Sequence, residues 1–344
     1  MTRAAEFTAE LIRTTSRGLA GLTTARLFEK VENAESRYGE AGFDSWRQAL
    51  GARLEALASA LEADDTKLFS DDMVWFRAVI TSRDIDQGDV LVALESMRET
   101  LTAQLPGNTD TSIDSYFDAA VKALAQPAVP ASGLAEGSRA QELFDLALLG
   151  DLSSARNYLI DGVKSGAFSL EEAVVEILLP AAREAGRRWH VGEMGVAAEH
   201  VITATLRSAL HGLTAALPPV ERNGKAVLVA AVPGDAHDTG LVAFALLLEQ
   251  DGWRVALAGA DTPADEIDVT AAAYGCDLIA VSATLVAQRY ALSSYLGARD
   301  SDIPVLVGGA ALRSEEDALR LGANGFATDL VNGVQSARAL VDLA

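Results

Sequence analysis

The sequence predicts an all-helical amino-terminal region, a second helical block, and a carboxy-terminal α/β domain built on a parallel sheet. Apolar residues recur every three or four positions in the first 125 residues, without period-two alternation. Short β-branched runs alternate with amphipathic stretches after Pro218-Pro219. A run with two prolines and small residues, 126–133, interrupts both patterns and indicates a linker. We therefore expect domains at 1–125, 138–217 and 223–344, with a linker at 126–137.

Three apolar stripes define helices in the amino-terminal region. Their members follow one another at steps of three and four, which places each set on one face of a helix. The stripes are Phe43, Trp46, Leu50, Leu54, Leu57 and Leu61; then Val90, Leu94, Met97 and Leu101; then Ile113, Phe117, Ala120 and Leu124.

The block 138–217 has the length of a four-helix bundle. Within it, Ser169 followed by Glu172 three residues later is a capping box that marks a helix start. Beyond this block, runs rich in β-branched residues predict strands, each followed by Gly, Asp or Ser and then an amphipathic stretch. This alternation is typical of a doubly wound parallel sheet with helices on both faces. The predicted strands are 227–230, 254–257, 278–281 and 305–307.

The composition excludes several classes of protein. Among 344 residues there are 28 Lys plus Arg, 49 Asp plus Glu and one Cys, for a net charge of −21. So negative a chain repels phosphate backbones and anionic lipid, and without a basic patch we expect neither a nucleic-acid nor a membrane partner. One Cys forms no intramolecular disulfide, no apolar run reaches the roughly 18 residues of a membrane span, and Met1 begins no signal peptide. The predicted location is the cytoplasm.

The loop after the first predicted strand carries an unusual motif. Ligands bind at the carboxyl ends of parallel strands, and here residues 233–240 read Pro-Gly-Asp-Ala-His-Asp-Thr-Gly. The loop lacks the Lys of a P-loop and the glycine fingerprint of a dinucleotide site. A His beside a carboxylate two residues earlier is typical of a metal ligand held in one tautomer by an acid. His237 is thus a candidate ligand, the alternative being a solvated loop histidine close to Asp235.

Two further strand ends carry hydroxyls and bare backbone, in Ser-Ala-Thr-Leu at 282–285 and in Gly-Gly at 308–309. With Asp-x-His-x-x-Gly, these motifs resemble the cobalamin-binding Rossmann-like domain of methionine synthase and corrinoid proteins. The resemblance implies that His237 is the lower axial cobalt ligand, oriented by Asp235, and that the displaced nucleotide tail inserts beside the sheet. Thr284 stands where the methyltransferases commonly have Leu. The implied tail-contacting residues are Asp238, Thr239, Gly240, Ser282, Thr284, Gly308 and Gly309.

The second helical block carries Trp189 followed, after nine residues, by Glu199-His200. This pattern resembles the CarH-type adenosylcobalamin photoreceptors, whose four-helix-bundle cap holds the 5′-deoxyadenosyl group with these three residue types. The resemblance also implies that His190, directly after the Trp, binds cobalt once light has broken the cobalt–carbon bond. Taken alone, Trp189 is better interpreted as an ordinary bundle-core aromatic, and it is the spaced Glu199-His200 and the downstream binding motif that favour the adenosyl pocket. We expect His211 to be structural or at the surface.

CarH-type regulators begin with a basic helix-turn-helix DNA reader, and residues 1–125 contain no such run. The predicted partner is therefore a downstream protein effector or a second copy of the chain. The chain also looks similar to the photocobilins, which pair cobalamin with a bilin. Cys276 is expected to be a packed thiol, so a bilin would bind noncovalently. We expect the aromatic residues of the first region to be core rather than chromophore contacts, namely Phe69, Trp75, Phe76, Tyr116 and Phe117.

Together these patterns predict a light sensor rather than an enzyme, with adenosylcobalamin bound base-off and His-on and with cap rearrangement as the signal. Two alternatives remain open, a corrinoid methyl carrier of a methyltransferase system and a module that delivers cobalamin. The Trp-x9-Glu-His pattern and Thr284 favour the sensor over the methyl carrier.

Overall fold

The computed structural model describes residues 3–106, 113–126 and 133–342. The chain divides into two units, the first comprising Met1–Pro130 with His190–Gly192, the second Ala131–Trp189 with Glu193–Ala344. Part of the predicted linker, residues 127–132, lies outside the described residues. Within the described ranges, no helix has both the length and the apolar character needed to cross a bilayer.

Among the described residues of the first unit, all regular secondary structure is helical. The apolar stripes of the sequence form its core, with Trp46, Leu50 and Leu54 on the third helix at most 3% exposed. Phe43, expected in the same stripe, is 39% exposed, because it lies in the first turn and packs edge-on against Phe28 instead, with ring centroids 5.3 Å apart. The helices are α1 (Arg3–Lys30), α2 (Ala34–Tyr38), α3 (Gly42–Ala63), α4 (Thr66–Thr81), α5 (Gln87–Gln104) and α6 (Ile113–Leu124).

The second unit begins with a helical cap. The capping box is confirmed, since the Ser169 backbone N–H donates to Glu172 Oε2 at 2.7 Å and the Glu172 N–H to Ser169 Oγ at 3.1 Å. A π-helical segment, Glu172–Leu178, starts here and continues directly into an α-helix. The cap helices are α7 (Arg139–Leu148), α8 (Leu152–Ser165), α9 (Leu179–His190) and α10 (Val196–Ala216). Their shared core includes Leu143, Phe144, Leu159, Ile177, Leu206 and Leu210.

A five-stranded parallel sheet follows, in the order β2-β1-β3-β4-β5. Helices cover both faces, as the sequence predicts: Leu241 and Ala337 pack on one face, Ile267 and Leu292 on the other. The strands are β1 (Ala226–Ala231), β2 (Arg254–Gly259), β3 (Leu278–Ser282), β4 (Val305–Gly308) and β5 (Gly325–Ala327). The helices are α11 (Thr239–Gln250), α12 (Ala264–Ala273), α13 (Arg289–Ala298), α14 (Glu315–Arg320) and α15 (Leu330–Leu340).

The fold class predicted from the sequence is confirmed, with one strand missed. Gly325–Ala327 is only three residues long and contains no β-branched residue, so its sequence carries no strand signal. The strand order reverses direction between β1 and β3, which are neighbours. Ligands of such sheets bind beyond the carboxyl ends of the strands at this reversal, and the loops that follow β1 and β3 begin there.

Candidate cofactor site

A buried carboxylate and a half-exposed imidazole form the centre of the site. Asp235 is fully buried, and its Oδ1 accepts from His237 Nδ1 at 2.8 Å and from the His237 backbone N–H at 3.0 Å. An ionised carboxylate only accepts hydrogen bonds, so Nδ1 carries the proton. Nε2 is then the nitrogen that can bind a metal, on a side chain that is 55% exposed.

The two groups shift each other's pKa. Burial raises the pKa of Asp235, but the hydrogen bonds from His237 and Thr284 outweigh burial, and the net pKa is lowered. The hydrogen bond to Asp235 raises the pKa of His237 against the effect of burial, and the negative charges of Asp235, Glu199 and Asp238 add to the rise. The imidazole therefore lies in an acidic environment that makes it a more basic ligand.

The second oxygen of Asp235 is held from the neighbouring strand. The Thr284 backbone N–H, in the loop after β3, donates to Asp235 Oδ2 at 2.8 Å. Gln288 spans the same two loops: its Oε1 accepts from Thr284 N at 3.1 Å and Leu285 N at 2.7 Å, and its Nε2 donates to the Gly234 carbonyl at 3.0 Å. Sequence reasoning missed Gln288, whose only signal is a glutamine that closes an apolar triplet.

The loop after β2 also holds the segment Gly234-Asp235 in place, through Asp261. The Asp261 backbone N–H donates to the Asp235 carbonyl at 2.9 Å, and Asp261 Oδ1 accepts from the Gly234 N–H at 2.7 Å. Asp261 takes a left-handed conformation with φ 47°, which aspartate tolerates better than most residues. Nothing in the local sequence assigns Asp261 to the site.

The remaining strand-end residues are compatible with a polar ligand tail. Ser282 Oγ is buried and has no hydrogen-bond partner among the described residues, so it is available to a polar ligand. A Cβ placed on Gly240 meets no atom within 4 Å. Thr239 and Gly240 open α11, directly after Asp238, whose Oδ2 lies 2.7 Å from Arg207 Nη2 on α10. The unpartnered hydroxyl at the end of β3 and the open space at the start of α11 are each compatible with the tail of a cobalamin.

The Gly308-Gly309 pair has two different roles. A Cβ on Gly308 would meet Ala327 at an ordinary 3.5 Å. Gly309 has φ +100°, and a Cβ there would overlap the backbone carbonyl of Ala283 in the loop after β3. Only Gly309 therefore requires glycine, because of its positive φ and the close approach of the Ala283 carbonyl.

Among the predicted cap residues of the second unit, only Glu199 has a described electrostatic interaction with His237. Glu199 accepts a hydrogen bond from Thr203 Oγ1 at 2.5 Å, and its negative charge contributes to the raised pKa of His237. His200 Nε2 lies 3.8 Å from Glu199 Oε2, on a side chain that is 72% exposed. Trp189 is half-buried, and His211 is exposed on α10.

His190 belongs to the first unit, so the structure does not group it with these residues. Its ring stacks on Trp75 with centroids 4.5 Å apart, and its carbonyl accepts from Ser82 Oγ at 3.2 Å. Its Nδ1 is buried without a hydrogen-bond partner in the described ranges. Burial, and the nearby Arg83 charge, lower the pKa of this imidazole.

The expectation that Trp75 belongs to the core is wrong. Trp75 is 40% exposed, whereas the other four aromatic residues named with it are at most 3% exposed. The Trp75 ring covers His190 instead, with the Arg53 guanidinium 5.5 Å from its centroid. The buried aromatic residues are Phe69, Phe76, Tyr116 and Phe117.

Comparison with known families agrees with this site. Residues 225–333 match one family described as a B12 binding domain, and residues 139–213 match a second family with the same description. The two matches cover the sheet and the cap of the second unit. They support cobalamin binding by this part of the chain.

Known relatives point the same way. The chain is 35% identical over 151 residues to the HTH-type transcriptional repressor CarH of Myxococcus xanthus, across 42% of this chain and 49% of the repressor. It is 34% identical over 150 residues to CarA of the same organism, across 42% of this chain and 50% of the repressor. The chain thus spans about half the length of these relatives, and the likeness supports a CarH-like family for the matched region.

Among solved structures, the monomethylamine corrinoid protein of Methanosarcina barkeri has a TM-score of 0.50 and 15% identity to this chain. The match covers 60% of this chain and 100% of that chain. At such low identity the likeness shows a shared fold alone, and that fold is the Rossmann-like one expected from the sequence.

Replacing Asp235 with Asn should lower the pKa of His237, because the variant removes the main cause of its rise. The measurement is an NMR pH titration of the His237 ring in the cofactor-free protein. His190 of the first unit is the internal control, because burial and the Arg83 charge lower its pKa and neither cause involves Asp235. An unchanged His237 pKa in Asp235→Asn would show that the carboxylate does not set the basicity of the ring.

The same variant predicts a pH window for stability. The pKa of Asp235 is lowered from 3.8. The contribution of its ionised carboxylate to the free energy of unfolding is therefore present above pH 3.8 and is lost as the pH falls through the lowered pKa. The His237 pKa is raised from 6.5, so its contribution is present below pH 6.5 and is lost as the pH rises through the raised value. The difference in Tm between wild type and Asp235→Asn should therefore be largest between pH 3.8 and 6.5.

Replacing Gly309 with Ala should lower the free energy of unfolding by about 1–3 kcal/mol, the cost of holding a non-glycine residue in a sparsely populated backbone region. Urea denaturation measures the change. Gly297→Ala is the matched control, because Gly297 lies on the exposed side of α13 with open space around it. That control should gain about 0.5–1 kcal/mol, and equal effects of the two substitutions would contradict the assignment.

Proposed function

We propose that this chain is a light sensor, not an enzyme, that holds adenosylcobalamin base-off and His-on in its second unit. The observation that carries the proposal is the buried Asp235 bonded to His237 Nδ1 at 2.8 Å, inside a region that matches a B12 binding domain. His237 Nε2 is the proposed lower axial ligand of cobalt. When bound, the cofactor supplies a light-labile cobalt–carbon bond.

The other residues of the second unit have complementary proposed roles. Ser282 Oγ and Thr284 hydrogen-bond the nucleotide tail, and Gly240 leaves room for it. Gly308 and Gly309 would leave space for the tail, and Asp238 and Thr239 would contact it. The support for this assignment is the orphaned Ser282 hydroxyl together with the open space at Gly240.

The cap residues would hold the adenosyl group: Trp189 would pack against it, and Glu199 and His200 would hydrogen-bond it. The contribution of the Glu199 charge to the raised pKa of His237 supports this arrangement, because the interaction of two charges weakens with distance.

His190 is the proposed switch residue. Its buried Nδ1 lacks a partner among the described residues, an arrangement that costs free energy, so a change of partner is favourable for this side chain. In the light state His190 would be the residue that holds cobalt, in place of its stack on Trp75. Leaving that stack would move the carboxyl end of α9 and would convert a local change of partner into a rearrangement of the cap.

The proposed output is contact with a protein effector or with a second copy of the chain. CarH and CarA are named as HTH-type repressors, whereas the first unit here is helical with no basic recognition run. A noncovalent bilin, by likeness to the photocobilins, is the second proposed chromophore. Cys276 is buried, with its thiol pKa raised by burial, which disfavours a thioether attachment.

An absorption spectrum tests the proposal directly. Protein purified in the dark and loaded with adenosylcobalamin should change its spectrum under green light, both with and without oxygen, and any bilin should add a separate band. The absence of a light-induced change would contradict the sensor and favour the methyl carrier. Rapid cofactor exchange, with no light-dependent change in oligomeric state by light scattering, would instead indicate a delivery module.

Two histidine variants separate the lower and upper ligands. His237→Ala should abolish the His-on spectrum in the dark. His190→Ala should keep dark binding and remove only the second nitrogen ligand of the photoproduct. His211→Ala, at an exposed position of α10, is the control and should behave as wild type. An unchanged photoproduct in His190→Ala would mean that His200 or water takes the upper position.

A further inference from the structure

Asp238 stands where an aspartate ordinarily caps a helix, yet its side chain does not do so. Its carbonyl accepts the Val242 N–H at 2.9 Å, so α11 begins directly after it. No capping bond is made by the carboxylate. Two other aspartates of the same unit do cap: Asp151 accepts from the first turn of α8, and Asp329 from the Asn332 N–H of α15 at 2.8 Å.

The carboxylate of Asp238 is instead turned towards the cap. Its Oδ2 lies 2.7 Å from Nη2 of Arg207, with side-chain exposures of 18% and 42%. An ion pair this open to solvent adds little stability, and a helix cap offers at least as much. Stability alone therefore does not explain why Asp238 leaves the helix end for Arg207.

The position of the pair gives a better explanation. Asp238 is adjacent to His237 in the chain, and Arg207 lies on α10, eight residues beyond Glu199. The His237 loop is anchored on one side by the buried Asp235, bonded to Thr284. Arg207 supplies an anchor on the other side, through Asp238.

We infer that Arg207 is a positioning residue for the axial ligand: by holding Asp238 on α10, it fixes the backbone of the His237 loop and the direction of Nε2. The inference rests on the proposed role of His237 as a cobalt ligand. The ion pair would couple the position of α10, the helix that carries Glu199, to the position of the loop that carries His237. Glu199 and His237, the residues that would hold the cofactor from the helix and from the loop, would then move together.

The test uses the full chain with two probes, adenosylcobalamin for affinity and cob(II)alamin for the axial nitrogen, read from its hyperfine splitting in electron paramagnetic resonance. Arg207→Leu should weaken adenosylcobalamin binding about tenfold, as loss of outer contacts to metal ligands typically does, and should reduce the His-on fraction. Its Tm should change little, because the released Asp238 can then cap α11. Arg207→Lys, which keeps the charge near Asp238, should restore most of the His-on signal.

Arg338→Leu is the matched control. Arg338 pairs with Asp251 at 2.8 Å in the same unit, with similar exposures of 39% and 19%. If Arg207→Leu gives the affinity and His-on fraction of this control, the inference is wrong. It is also wrong if Arg207→Leu lowers Tm strongly and Arg207→Lys restores Tm but not the axial signal, because the role is then structural. If wild-type protein itself shows no axial nitrogen, the proposed function fails, whereas a normal wild type with an unaffected Arg207→Leu refutes this inference alone.

Discussion

The buried carboxylate of Asp235 is the group around which the second unit is organised. A fully buried ionised carboxylate is costly unless donors replace its water. Here the donors come from two strands: the imidazole and N–H of His237 follow β1, and the N–H of Thr284 follows β3. The carboxylate is satisfied only if these strands are neighbours, in register and of the right length. The strand order β2-β1-β3-β4-β5 meets that condition.

That constraint explains which parts of the site the sequence reveals. Asp235 and His237 are two residues apart in one loop, so their pairing follows from the local motif. Gln288 and Asp261 reach the same loop from two other strand ends, across 54 and 27 residues of chain. Sequence separation of that size leaves no periodic or motif signal, and only the sheet brings these groups together.

The sequence predicts the helices and most strands, but it does not predict the exposure of Trp75 or the short strand β5. Helical periodicity and β-branched runs report burial along one element, which is why the stripes of α3 and α5 and four of the five strands follow from the sequence. Such patterns do not say what covers a particular aromatic ring. Trp75 is of a residue type that is usually buried, yet its ring stacks on His190, which is more than a hundred residues away in the chain. The short β5 is held by its neighbour β4 rather than by its own propensity.

The π-helical segment Glu172–Leu178 decides which way the end of α9 faces. In a π-helix each backbone N–H donates to the carbonyl five residues earlier. Each hydrogen-bonded loop therefore contains one more residue than in an α-helix. Each additional residue turns everything beyond it by about 100° relative to an uninterrupted α-helix. Trp189 lies eleven residues past this segment, so the side of the helix from which it projects depends on the length of the π-helical segment. Two caps with the same Trp-x9-Glu-His spacing but different lengths of π-helix would present that tryptophan to different surroundings.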